Sequence, residues 1–98
     1  MTLRILDLAE ADLLRGFRFY ERKSRGVGWY FLDCLSSEIE SLHLYAGVHR
    51  RHLGYFRMLS RRFPYAIYYR ITGEEVQVWR VLDCRRDPRW IRQQLKRA

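Results

Sequence analysis

Cysteine, proline and lysine are scarce in this 98-residue chain, and long hydrophobic runs are missing from it. The two cysteines, Cys34 and Cys84, are too few for the disulfide framework that holds small secreted domains together. No stretch approaches the roughly 18 apolar residues that a transmembrane helix needs. Acidic residues at positions 7, 10 and 12 interrupt the stretch where a signal peptide would be apolar. These absences favour a soluble, cytoplasmic protein.

The apolar content is sufficient for one folded domain over residues 1–98. Hydrophobic residues make up 48% of the chain and aromatic residues 15%, which excludes intrinsic disorder. A chain of this length buries about 60–65% of the surface that it exposes when unfolded. We therefore expect a single domain of modest stability.

Positive charge is concentrated in the second part of the chain, and arginine carries nearly all of it. Lys23 and Lys96 are the only lysines among 19 basic residues, and 11 acidic residues leave a net charge of +8. Residues 1–40 contain six basic and seven acidic residues, whereas residues 41–98 contain 13 basic and four acidic ones. The planar guanidinium forms paired hydrogen bonds to phosphate and carboxylate groups. The composition thus predicts an anionic partner, either nucleic acid or an acidic protein segment.

Hydrophobic periodicity predicts two helices in the first half of the chain. An apolar run over residues 3–6 predicts a first strand, and Asp7 with Glu10 resembles a capping box that would start the first helix. Apolar residues then recur at helical spacing over residues 8–23 and again over residues 28–45. A short glycine-containing turn separates the two segments, so we expect an antiparallel helix hairpin.

The second half of the chain has the pattern of strands joined by short turns. Residues 53–59, 65–71 and 76–82 predict an antiparallel meander, and Asp87 followed by Pro88 predicts the start of a last helix. The order β-α-α-β-β-β-α predicts an α+β fold. In this fold an N-terminal strand precedes the helix hairpin. The hairpin packs on a mainly antiparallel sheet of three to four strands, and a short C-terminal helix follows.

Histidine, cysteine and serine form no recognisable metal-binding or nucleophilic motif. His49 and His52 lie three residues apart, but no second pair of ligands at zinc-like spacing accompanies them. Ser36 and Ser37 fall within a predicted helix and lack the turn of a nucleophile elbow. The sequence therefore predicts no metal and no cofactor.

The arginines of the predicted meander and last helix alternate with tyrosine and tryptophan. Arginine beside exposed aromatic residues is typical of RNA-binding surfaces and of protein interaction hot spots. The alternative is a solvated charged face whose aromatic residues fill the core. For individual arginines this alternative is favoured, whereas for the cluster as a whole we predict a surface that faces an anion.

Three segments in the last third of the chain form a recognisable pattern. They are Arg62–Ile71 (RFPYAIYYRI), Val78–Leu82 (VWRVL) and Arg85–Pro88 (RRDP). The pattern resembles toxins of the ParE/RelE superfamily, which belong to bacterial type II toxin–antitoxin modules, and it is closest to the ParE branch. Asp83 stands where the family often has histidine. Upstream residues that agree with the pattern are Ala9, Asp12, Leu13, Phe19, Tyr20, Glu21, Gly26 and Gly28.

The resemblance to the ParE branch implies a toxin that poisons DNA gyrase by binding it, without chemistry of its own. It also implies a cognate antitoxin, whose acidic, amphipathic C-terminal segment folds onto the toxin and neutralises it. The arginine-rich last strand and C-terminal helix would then form the recognition surface. The residues that we expect to contact the target are Arg62, Tyr69, Arg80, Arg85, Arg86, Arg89 and Trp90. Which residues bind the antitoxin is left open.

Two alternatives remain at this point. Resemblance to the RelE branch implies an endoribonuclease that cleaves mRNA in the ribosome through the messenger's own 2′-hydroxyl, with Arg85 and Arg86 stabilising the phosphorane charge. The positions of its other catalytic groups hold Tyr65 and residues 90–92, none of which titrates near neutral pH. The second alternative is an inactive homologue that binds only the antitoxin.

Overall fold

A computed structural model describes residues 1–98 and contains five strands and four helices. The strands are β1 (Thr2–Ile5), β2 (Arg50–His52), β3 (Tyr55–Leu59), β4 (Tyr65–Thr72) and β5 (Glu75–Asp83). The helices are α1 (Asp7–Lys23), α2 (Val27–Glu40), α3 (Leu42–Tyr45) and α4 (Pro88–Arg97). The predicted α+β class, N-terminal strand, helix hairpin and short C-terminal helix are confirmed. None of the helices has the length and apolar character needed to cross a bilayer.

The strands form one mixed sheet in the order β1-β5-β4-β3-β2. β2 to β5 are an antiparallel meander, whereas β1 pairs in parallel with β5, with Thr2 opposite Glu75 and Ile5 opposite Val78. The sheet has five strands where three to four were predicted, and the additional strand is β2. All three of its residues are polar and exposed, so β2 has no apolar alternation that would indicate a strand.

Glu21 and two glycines fix the turn between α1 and α2. The Glu21 carboxylate accepts hydrogen bonds from the Gly26 N–H at 3.0 and 3.1 Å and from the Gly28 N–H at 2.9 Å. Gly26 has a left-handed φ of 91°, which only glycine adopts without strain. A Cβ atom on Gly28 would lie 2.6 Å from the Phe17 carbonyl oxygen. The lack of a side chain at Gly28 therefore lets α2 start directly against α1.

The observed helix ends differ from the prediction at α1 and agree with it at α4. Leu6 occupies the N-cap position of α1 without any side-chain cap, so the predicted capping box does not form. Asp7 lies instead in the first turn, where a negative charge stabilises the helix by interacting with the helix dipole. Asp87 caps α4 as predicted by accepting the Arg89 N–H, and Pro88 is the first helical residue. The predicted second helix is divided into α2 and α3.

Each face of the sheet has its own apolar cluster. The larger cluster lies between the sheet and the helix hairpin, and the smaller one lies under α4. Fully burying a large apolar side chain stabilises a fold by about 1.5–3 kcal/mol, so the larger cluster supplies most of the hydrophobic stabilisation. Its members are Ala9, Leu13, Phe31, Leu35, Ile39, Leu42, Met58, Tyr65, Ile67, Tyr69, Val76, Val78 and Val81. The smaller cluster contains Tyr55, Ala66, Tyr68, Leu82, Ile91 and Leu95.

Asp12 and Arg80 form a buried ion pair on the free edge of β5, beyond the end of β1. Arg80 donates to both Asp12 carboxylate oxygens, at 2.8 and 2.9 Å, and to the Gln94 carbonyl at 3.1 Å. Asp12 also accepts the Val81 N–H at 2.9 Å, so the carboxylate takes the place that a neighbouring strand would fill. The ion pair thereby connects α1, β5 and α4.

Candidate binding surface

Most of the predicted target-binding residues lie in the loop between β5 and α4 and in the first turn of α4. Arg85, Arg86 and Arg89 are exposed there, and Trp90 is half-buried. We call these four residues the arginine surface. Arg62 is exposed in the loop between β3 and β4. A hydrogen bond of 2.8 Å from the Cys84 N–H to the Pro64 carbonyl joins that loop to the start of the arginine surface.

Two of these arginines are held by the aspartate two residues before them. Asp83 accepts two guanidinium hydrogen bonds from Arg85, at 3.0 and 2.8 Å, and also its backbone N–H at 2.8 Å. Asp87 repeats this arrangement with Arg89. Burial alone would raise the pKa of Asp83, but the hydrogen bonds and charge of Arg85 outweigh it and hold that pKa below its ordinary value. Both guanidinium groups are therefore oriented and partly neutralised.

Arg86 has no carboxylate partner and lies instead over the Trp90 ring, with its guanidinium carbon 3.8 Å from the ring centroid. Such a cation–π contact contributes about 0.5–1 kcal/mol at an exposed site. It fixes the guanidinium while its N–H groups remain free to donate to a partner. Arg86 is therefore the one arginine of this surface that no carboxylate neutralises.

Two tyrosines lie next to Arg85 on the side that faces the helix hairpin. Burial raises the pKa of Tyr20, and Arg85 lowers it only in part. Burial, with a smaller contribution from Asp83, raises the pKa of Tyr65 to about 12. Both hydroxyl groups are protonated at neutral pH, so neither can act as a general base there.

The structure corrects two of the predicted contact residues. Arg80 is 3% exposed and is bound by Asp12, and the Tyr69 side chain is fully buried in the larger apolar cluster. Neither can reach a partner on the surface. Tyr55, Tyr65 and Tyr68 are buried as well, so the tyrosines of the meander fill the core instead of forming an exposed aromatic face.

The three histidines lie apart and have different partners. The His43 Nδ1 atom lies 3.0 Å from the Met1 carbonyl oxygen, and the ring of His52 packs against Tyr68. His49 is hydrogen-bonded to the Tyr69 hydroxyl, and burial lowers its pKa. No histidine has a hydrogen bond or ring contact with the arginine surface.

Asp83 and Asp87 orient Arg85 and Arg89, a role that was not predicted from the sequence. Asp83 and Asp87 each stand two residues before an arginine, and this Asp-x-Arg spacing occurs twice within seven residues. A short aspartate side chain accepts hydrogen bonds from groups two residues further on, as in Asx turns. The repeated spacing was therefore a readable signal for two self-paired arginines.

The fold has a counterpart among solved structures. A solved chain from the chromosomal ParDE toxin–antitoxin system of P. aeruginosa is similar, with a TM-score of 0.76 and 22% sequence identity. The similarity covers 83% of this chain and 92% of that chain, and at this identity it shows the fold alone. A comparison with curated proteins gives no match.

The fold is thus shared with a chain of a toxin–antitoxin system. The sequence itself is more specific, because the family profile described as the ParE toxin of the type II toxin–antitoxin system parDE matches residues 3–88. The chain belongs to the ParE toxin family.

Proposed function

We propose that this chain is a toxin that binds and poisons DNA gyrase in the bacterial cytoplasm and is neutralised by a cognate antitoxin. The observation that carries the proposal is the arginine surface, which presents oriented cations whose neighbouring carboxylates are already bound by Arg85 and Arg89. Such a surface is suited to binding and does not supply bond-breaking chemistry.

Charge and geometry support a role in binding. Arg86 is fixed by Trp90, whereas Arg85 and Arg89 are fixed by their aspartates. Fixing a long side chain before binding lowers the entropy that is lost on association, which amounts to about 0.5–1.5 kcal/mol per side chain. The net charge of +8 also accelerates the encounter with an acidic partner.

The endoribonuclease alternative receives no such support. Cleavage through the 2′-hydroxyl needs a base for the attacking oxygen and an acid for the leaving oxygen, both close to the arginines that stabilise the charge. Tyr20 and Tyr65 lie beside Arg85, and their raised pKa values make both poor proton acceptors at neutral pH. The carboxylates of Asp83 and Asp87 are already hydrogen-bonded to the arginines, and their pKa values are lowered. Arg85 and Arg86 remain available for charge stabilisation, but the pKa of each of these neighbouring groups is shifted away from neutrality.

The test is supercoiling and DNA cleavage by purified gyrase with increasing amounts of the chain. We expect supercoiling to be lost and cleaved DNA to accumulate. Combining Arg85→Ala with Arg86→Ala should raise the concentration needed by about tenfold or more, as expected for loss of hot-spot arginines. The matched control is Arg18→Ala with Arg22→Ala on α1, which removes the same charge from exposed positions and should leave poisoning nearly unchanged.

The other possible outcomes support different functions. Full poisoning by the folded Arg85→Ala and Arg86→Ala variant would contradict the role of the arginine surface. Active gyrase together with cut messenger in a purified translation reaction would identify an endoribonuclease. If gyrase and messenger both remain intact while the antitoxin still binds, the chain is an inactive homologue.

A further inference from the structure

A second basic site lies at the C-terminal end of α4, at the opposite end of this helix from the arginine surface. It is a pocket of about 460 Å³ between α4 and the turn that joins β2 to β3. Three of its seven lining residues are cations and none is acidic. The lining residues are Leu53, Tyr55, Arg70, Arg92, Leu95, Lys96 and Ala98. We call this site the α4 pocket.

The three cations of the α4 pocket are not neutralised within the chain. No carboxylate oxygen lies within 4.0 Å of a charged nitrogen of Arg70, Arg92 or Lys96, since the five ion pairs of the chain join other residues. Arg70 is held by stacking, with its guanidinium carbon 4.1 Å from the Tyr55 ring centroid and 5.0 Å from that of Trp79. The pocket thus presents to an anion one cation that is held by stacking and two that have no carboxylate partner.

Leu53 is a second and independent sign of function at this pocket. It is the only non-glycine residue with a positive φ, at 51°, and it precedes Gly54, whose φ is 85°. Two-residue turns with left-handed residues prefer asparagine, aspartate or glycine at this position, and a leucine there is strained. Leu53 is 48% exposed, so it adds little to the core. Strained residues that persist without benefit to the fold cluster at binding sites.

The floor of the pocket consists of buried, mainly apolar side chains. Tyr55 and Leu95 are each 3% exposed, and the Tyr55 hydroxyl donates to the Leu95 carbonyl at 2.9 Å. Arg80 likewise donates a hydrogen bond to the neighbouring Gln94 carbonyl. Two of the carbonyl groups at the negative end of α4 are therefore already hydrogen-bonded, which reduces their repulsion of an anionic ligand.

We infer that the α4 pocket docks an acidic, amphipathic segment of the antitoxin, and this rests on the proposed function in which an antitoxin neutralises the chain. An apolar side chain of the segment packs on Leu53 and Leu95, while flanking carboxylates bind Arg70, Arg92 and Lys96. A peptide suits the pocket better than nucleic acid does. Arg70 covers the rings that bases would need for stacking, and the apolar floor offers nothing to a phosphate backbone.

The test is direct binding of a labelled synthetic peptide in which leucines are flanked by glutamates and aspartates, measured by fluorescence anisotropy. Combining Arg92→Glu with Lys96→Glu should raise the Kd by about tenfold or more, because two attractive charges become repulsive. The matched control, Arg22→Glu with Lys23→Glu on α1, changes the net charge equally. It should have little effect in about 0.15 M salt, where exposed charges are screened beyond about 8 Å.

A second variant separates binding from folding. Leu53→Asn should raise the melting temperature, because asparagine tolerates the left-handed backbone. It should also weaken peptide binding about fourfold or more through lost apolar contact. A purely structural role for Leu53 would not move stability and affinity in opposite directions.

Four results would overturn the inference. The first two are wild-type affinity in the Arg92→Glu and Lys96→Glu variant and an equal loss of affinity in the α1 control. The third is equal binding of a peptide whose leucines are replaced by serine. The fourth is tighter binding of a single-stranded oligonucleotide at the same residues. The assay contains no gyrase. A wild-type chain that binds the peptide through the α4 pocket but leaves gyrase active would contradict the proposed target and keep the pocket, whereas poisoning without peptide binding would do the reverse.

Discussion

Replacing Asp12 by asparagine should destabilise the fold more than any exposed substitution. The carboxylate accepts two hydrogen bonds from Arg80, one from the Val81 N–H and one from Arg15 at 2.6 Å. Both members of the ion pair are nearly buried, with Asp12 4% and Arg80 3% exposed. Asparagine keeps the shape but leaves the buried guanidinium charge uncompensated. Breaking a buried pair in this way costs about 3–5 kcal/mol, a large share of the roughly 5–15 kcal/mol that stabilises a small domain.

Two further variants separate the buried pair from its exposed neighbour. The Arg15 side chain is 63% exposed, so Arg15→Ala should cost less than about 1 kcal/mol. Combining Asp12→Leu with Arg80→Met removes both charges and should recover much of the loss, since well-packed apolar residues often replace a buried pair at little cost.

The measurement is the free energy of unfolding from urea titrations followed by circular dichroism. We expect a lower midpoint with an unchanged slope for Asp12→Asn if the native state stays compact. A loss below about 1 kcal/mol, or one no larger than that of Arg15→Ala, would refute the assignment of Asp12 as the residue that compensates Arg80.

Two further predictions concern the helix hairpin and its neighbouring loop. Gly28→Ala should cost about 1–3 kcal/mol, because its Cβ would lie 2.6 Å from a backbone oxygen. Thermal unfolding checks this, and Ser36→Ala at an exposed position of α2 should change little. Burial lowers the pKa of His49, so the folded chain binds that proton less readily than the unfolded chain, whose value is about 6.5. Stability is therefore fully present above about pH 6.5 and is lost as the pH falls through the folded value. Urea titrations at about pH 7.5 and pH 5 should show this loss, and His49→Gln should remove it.

The local features of this fold could be read from the sequence because local residues determine them. The apolar spacing on α1 and α2 and the short turn between them specify a hairpin. Turn residues between β4 and β5 likewise fix an antiparallel pair, and Asp87 with Pro88 starts α4. In each case the residues that carry the signal lie within a few positions of the structure that they produce.

The features that escaped prediction depend on residues far apart in the chain. β1 pairs in parallel with β5, and a parallel pair has no connecting turn that would reveal its partner. Arg80 seemed to be a surface arginine because its partner Asp12 is 68 residues away. A signal did exist at Asp12, which shares the buried stripe of α1 with Ala9, Leu13 and Gly16. A charged residue in such a stripe requires a buried partner, although the stripe does not say which one.

The position of α4 links the buried ion pair to both surface sites. This helix has ten residues, of which only Ile91 and Leu95 are buried, and an isolated helix of this length is marginal in water. Its orientation therefore depends on contacts with the sheet, including the hydrogen bonds from Arg80 and Tyr55 to its last carbonyls. The arginine surface begins at one end of α4 and the α4 pocket lies at the other. In an Asp12→Asn chain that still folds, Arg80 loses the carboxylate that holds it in place. This variant should therefore bind more weakly at both the arginine surface and the α4 pocket. A substitution within either site should affect binding at that site alone.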